Sequence, residues 1–135
     1  MTPDTAIANP ALLRRTLVAD VALTGLTGLA MCALAAPLAA LTGLPQTLLL
    51  VAGLVLLPYV AWIAWLARRP TRRAVRAVVA INLLWAVDCV LLLASGWTAP
   101  NALGIAFVSM QAVTVTTLAA LCAGALGRTP AVRAA

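Results

Sequence analysis

The chain has 135 residues, of which 64% are hydrophobic and only 9% charged. A soluble domain carries about 25% charged residues, so this chain has too little polar surface to cover a core in water, and lipid is the solvent that fits. The net charge is +6, carried by nine Arg against three Asp with no His; the Arg sit at the ends of apolar runs and not along a basic face, which excludes a nucleic-acid partner.

The polar start, "MTPDTAIAN", leads into Asn9-Pro10, an N-cap followed by proline at the first helical position. A first apolar span over 16–41 follows Arg14 and Arg15. It is too long for the h-region of a secretory signal, about 7–15 residues, and is read as a transmembrane helix. "LTGLPQ" turns the chain at Gly43 and Pro45. The second span covers 47–66. Pro58, near mid-membrane in "LLPYVAW", removes a backbone donor and should kink this helix, with Tyr59 beside the kink.

A basic linker follows, with Arg68, Arg69, Arg72, Arg73 and Arg76 as expected contacts for anionic lipid headgroups. The third span covers 74–95, "SGWTAPN" turns the chain, and the fourth span covers 102–126. The expected fold is all-α: one membrane-embedded four-helix bundle over 1–135, running up-down-up-down. The loops near 43 and 98 carry no charge, whereas the two ends and the central loop carry every Arg. The positive-inside rule then puts both termini and the central loop in the cytoplasm. Trp65 and Trp97 fall near opposite interfaces, as belt residues do. Ala, Leu and Arg dominate over Lys and Ile, a codon bias of high-GC bacteria, so the expected location is a bacterial cytoplasmic membrane.

Two carboxylates lie within apolar runs. Counted at 1.5 Å per residue, Asp20 is roughly 7 Å in from Arg15, Asn82 roughly 9 Å in from Arg76, and Asp88 roughly 18 Å in, past the midplane. An acid at the centre of a membrane helix costs about 2.5–3.5 kcal/mol on insertion scales. Asp88 must therefore face protein or water, or carry a proton, and Thr116 or Thr117 lies at the right depth to bond it. Asp20 can pair with Arg15 or a central-loop arginine, bond a neighbouring helix, or act as a proton or substrate site. Thr16, Asp20, Thr24 and Thr27 form one polar stripe. Gly25 and Gly28 flank it, and "TGLTGLA" offers a small-residue face for self-association.

The candidate intramembrane polar site is thus Asp20, Thr24, Tyr59, Asn82, Asp88, Gln111, Thr116 and Thr117. No His, nucleophile elbow, phosphate loop or metal cluster is present, so neither an enzyme nor a cofactor or metal is expected. Cys32, Cys89 and Cys122 lie inside apolar runs and read as small buried side chains.

Four patches, "RRTLVADVALTGLTGLA", "LLPYVAWIAWLARRP", "INLLWAVD" and "TAPNALGIAFVSMQA", resemble a group of small bacterial four-transmembrane-helix integral membrane proteins, loosely similar to DoxX-like proteins. The resemblance implies a four-helix fold and brings no activity or site residues. The expected function is that of a structural or interaction subunit, as a homo-oligomer or within a larger membrane complex. The alternative is a small proton-coupled transporter or channel using Asp20 and Asp88. A wet cavity joining the two acids would favour transport; dry packing would favour structure.

Overall fold

The computed structural model describes residues 6–127. Among these, five helices occur in the order α1 (Pro10–Ala33), α2 (Ala35–Thr42), α3 (Gln46–Leu66), α4 (Arg72–Ala94) and α5 (Ala102–Leu126). All except α2 are long and apolar enough to cross a membrane. Their 21 to 25 residues give lengths of roughly 31 to 37 Å against a hydrocarbon core of about 30 Å. At most 33% of any span is buried inside the chain. The outer faces carry Leu26, Leu29, Leu84, Val90 and Val113, all well exposed. So large an apolar surface marks a chain that lipid covers.

The first span departs from the sequence expectation. It is not one helix to residue 41 but two, broken at Leu34 (φ −116°, ψ 25°). Pro37 explains the break, because it has no N–H for the carbonyl of Ala33 and its ring clashes there. The helix restarts with Pro37 in its first turn, where a missing donor costs nothing. Pro58, by contrast, lies inside α3, which continues through it. At the start of α1 the Asn9 side chain accepts from the Leu12 amide at 3.0 Å, with Pro10 first in the helix, as the sequence implied.

The helices pair as α1 with α3 and α4 with α5, and α1 joins the pairs by packing on α5; no comparable packing joins α3 to α4. The α1–α3 contact is set by glycine. A Cβ on Gly53 would lie 2.7 Å from Cys32 Sγ and 2.9 Å from the Gly28 carbonyl oxygen. The small-residue face of "TGLTGLA" is therefore covered by α3 of the same chain, which removes it as the expected self-association surface.

Each end of the bundle is tied by polar contacts. At one end, the Asn101 amide bonds the Thr42 carbonyl at 3.0 Å and its side-chain Nδ2 bonds the Leu41 carbonyl at 2.7 Å. The same side chain accepts from Gly104 N at 3.0 Å and caps α5. The two uncharged loops thus meet. Gly43 closes α2 in the left-handed conformation (φ 72°) against this joint.

At the other end stands Arg72, only 8% exposed. Its guanidinium donates to the carbonyls of Leu126 at 2.6 Å, Gly127 at 2.9 Å and Ala6 at 3.1 Å. Arg72 is therefore a clamp on the last turn of α5 and not the headgroup contact that the linker suggested. Carbonyls at a helix C-terminus lack intrahelical partners, and a cation there opposes the helix dipole. Arg68, Arg69, Arg73 and Arg76 remain exposed, as headgroup contacts require. Arg128 and Arg133 lie outside the described residues.

Arg72 and Arg73 should therefore separate under mutation. Arg72→Met is expected to lower stability by roughly 1–3 kcal/mol, the cost of buried acceptors losing a charged donor. Arg73→Met should leave stability unchanged and weaken retention of anionic lipid, by about 1 kcal/mol for one basic residue. Thermal unfolding, and native mass spectrometry of lipid-bound protein, read the two effects. Equal stability of the two variants would refute the clamp.

Candidate functional site: a buried polar layer and two adjoining cavities

Two apolar clusters divide the interior. One, towards the Arg-rich end, contains Leu13, Leu17, Ile63, Val75, Val78 and Cys122. The other, towards the uncharged loops, contains Met31, Leu49, Leu56, Cys89 and Val108. Between them lies a polar layer built from three helices. Asp20 of α1 is 0% exposed. Its Oδ1 accepts from the Thr24 hydroxyl at 2.7 Å, and its Oδ2 accepts from Asn82 Nδ2 at 3.0 Å. Asn82 Oδ1 in turn accepts from the Tyr59 hydroxyl at 3.1 Å.

The local sequence explains the arrangement. Asp20 and Thr24 are four residues apart, so they share one face of α1. Tyr59 and Asn82 lie at the same level because α3 and α4 count inwards from the same five-residue connection, 67–71. The Tyr59–Asn82 bond bridges α3 and α4, whose backbones stay apart. Four of the expected polar-site residues are thus brought together in one network. Of the alternatives open for Asp20, the bond to a neighbouring helix forms and the ion pair does not: neutral donors hold both its oxygens, and Arg15 is exposed.

The other expected residues are arranged differently. Gln111 accepts from Trp85 Nε1 at 3.2 Å, which links α4 to α5. Thr116 and Thr117 do not bond Asp88. Their hydroxyls donate to the carbonyls of Ala112 and Val113 at 2.7 and 2.8 Å, on their own helix, and both residues are exposed. A helical threonine satisfies its hydroxyl in this way, sharing the carbonyl four residues back with the backbone N–H. Asp88 is exposed on the chain's surface and makes no hydrogen bond with any described residue. Asp88 thus does not face the interior of its own chain, and the alternative expectation, a contact with a second chain, belongs to the oligomer proposed below.

Helix geometry accounts for its position. At about 100° per residue, Asp88 lies about 120° around α4 from Asn82, so both cannot point at the centre. Asn82 takes that place, and Trp85 falls between them.

Where α3 and α4 part, two cavities open. The first has a volume of about 390 Å³ and is walled by Thr24, Tyr59, Asn82 and Thr114 with Leu56 and Ile81. The second, about 310 Å³, is walled by apolar side chains together with Trp85, Asp88, Phe107 and Gln111. Val55, Trp85 and Gln111 border both, so the Trp85–Gln111 bond lies at their common wall. Asp20 lines neither.

No family model matches the chain, and neither the curated proteins nor the solved structures give a significant match. Chemistry must then be read from the side chains. Among the described residues no cluster of His, Cys, Asp or Glu could hold a metal ion. The three cysteines are free thiols, with Cys89 and Cys122 buried and Cys32 half-buried. The arrangement can hold helices in register through the polar layer, and it offers two largely apolar cavities, one with a carboxylate at its edge. The sequence reading missed Trp85 as a functional wall; its place midway between Asn82 and Asp88 on α4 was the available signal.

Proposed function

We propose that the protein is a non-catalytic subunit of a bacterial cytoplasmic membrane, structural or interaction-bearing in role. Its four spans run up-down-up-down, with both termini and the Arg68–Arg76 loop in the cytoplasm. Arg68, Arg69, Arg73 and Arg76 face anionic headgroups there. The chain works as a homo-oligomer or within a larger membrane complex.

The observation that supports this reading is the state of Asp20. A carboxylate that relays protons needs water or an exchange partner. Asp20 is fully buried, its oxygens accept from Thr24 and Asn82, and it borders neither cavity itself. A satisfied network fixes helix positions, which is the role polar residues play between membrane helices.

Transport is the second reading, and the position of Asp88 on the second cavity is what favours it. The two readings part in one experiment. Protein reconstituted into vesicles should show no pH-gradient-driven flux above empty vesicles, and native mass spectrometry from the same lipid should show more than one chain per particle. Flux that disappears with Asp88→Asn, carried by a monomer, would replace the subunit by a transporter.

A further inference from the structure

We infer that the cavity beside Asp88 is a binding site for a lipophilic organic cation, an ammonium group carried on an aromatic or alkyl body. The inference stands apart from the subunit reading, since it concerns a small molecule and not a neighbouring chain.

Three observations converge on this ligand class. The first is the carboxylate. Asp88 lies roughly 18 Å along α4 from Arg76, deep in the bilayer by helix rise. It has no hydrogen-bond partner among the described residues. An acid in hydrocarbon pairs with a cation or a donor, or incurs the insertion cost. No described residue bonds it: Thr116 and Thr117 are turned to their own helix, and Gln111, on the same cavity wall, is bonded to Trp85 through its amide oxygen and keeps its amide N–H groups for a ligand or for Asp88.

The second is the wall. Apart from Asp88 and Gln111, the cavity is lined by apolar and aromatic side chains, among them Leu49, Leu92, Trp85 and Phe107. Aromatic rings attract cations, Trp most strongly, and aliphatic walls accept the ligand's body. An anionic ligand would be repelled by Asp88, and a strongly polar one would lose its hydration to walls that cannot replace it.

The third is access. Asp88 and Val51 border the cavity and are exposed, so it opens on the side of the bundle that faces lipid. A ligand dissolved in the bilayer reaches it laterally, between α3 and α4, where the helix backbones do not pack. The volume of about 310 Å³ lies at the lower end of the range for small-molecule sites, about 300–1,000 Å³.

The test uses benzyltrimethylammonium and its neutral isostere neopentylbenzene, two molecules of one shape differing in charge. Protein in zwitterionic lipid nanodiscs is titrated with the cation by equilibrium dialysis. Saturable binding at one site per chain is expected. Asp88→Asn should weaken it tenfold or more, and the isostere should fail to compete. Asp88→Asn should still fold, because Asp88 bonds none of the described residues. Leu92→Trp, which fills the cavity and leaves the carboxylate, should also lose binding. Absence of saturable binding, equal binding by Asp88→Asn, or equal binding of the isostere overturns the site. If Asp88→Asn instead dissociates an oligomer of a chain that binds no cation, the carboxylate is satisfied by another chain. That result overturns the cation site and supports the subunit reading.

Discussion

Asp20→Leu is expected to destabilise the bundle by roughly 1–3 kcal/mol, the cost of one buried donor left without its acceptor. The donor that suffers is Asn82 Nδ2, which loses the Asp20 Oδ2 contact of 3.0 Å. Thr24 suffers less. Its hydroxyl can turn to the backbone carbonyl four residues back, as Thr16 and Thr27 already do at 2.9 and 2.8 Å. Asn82 has no such recourse, since its other amide atom is held by Tyr59. Asp20→Asn should behave close to the parent, because the new amide can present its oxygen to Asn82 and its nitrogen to the Thr24 hydroxyl. The double variant Asp20→Leu with Asn82→Leu should recover only part of the loss, because the Asp20–Asn82 pair is then removed whole while the Tyr59 hydroxyl loses its acceptor. Double-mutant cycles between membrane helices average about 0.6 kcal/mol, so the coupling is expected towards the lower part of the range. Unfolding in nanodiscs measures all three. A stable Asp20→Leu protein that loses a transport activity would instead make Asp20 a working residue.

The second large effect is steric. Gly53→Ala should cost roughly 1–3 kcal/mol, the usual penalty for overpacking a tight core. The added carbon would stand 2.9 Å from the Gly28 carbonyl oxygen and 3.1 Å from the Cys32 amide nitrogen. Both are backbone atoms and cannot swing away, so α1 and α3 must separate. Adding Cys32→Ala to Gly53→Ala relieves the Sγ contact alone and should rescue little. Gly124→Ala is the control, because a Cβ there meets nothing within 4 Å. It should be neutral or stabilise α5 by up to about 1 kcal/mol through helix propensity. Thermal unfolding of the three proteins side by side gives the comparison, and a Gly53→Ala protein matching Gly124→Ala would sink the argument.

The existence of four spans and the turns between them was legible in the sequence, because they depend on long apolar runs and on Gly, Pro and Asn at their ends, whereas the break of the first span at Leu34 was not. Asn9, Gly43 and Asn101 cap or close helices as their chemistry dictates. Relative level was legible too: counting from the nearest Arg set Asn82 near the level of Asp20, and the two are bonded. What could not be read was rotation. In water the apolar face of a helix points inwards and gives the phase. In lipid both faces are apolar, so Leu84 and Val78 look alike in sequence, although one is exposed and the other buried. Polar residues are the remaining guide. Asn82 and Asp88 compete for one interior direction, and the residue with partners on two helices took it. The arginines hid a second ambiguity. Arg72 and Arg73 are neighbours of the same type, and the nearness of the α5 terminus to one of them is a tertiary fact.

The Arg72 clamp also carries a timetable. A ribosome releases α1, α2 and α3 well before α5, and the first two spans can zip together at Gly28 and Gly53 while synthesis continues. Arg72 emerges next, but two of its acceptors, the carbonyls of Leu126 and Gly127, are made some 55 residues later. Until then its guanidinium has the Ala6 carbonyl, headgroups and water to bind. The bundle is thus bolted shut last, by a residue that was made early, and a nascent chain halted before Leu126 would leave the translocon with its final fastening undone.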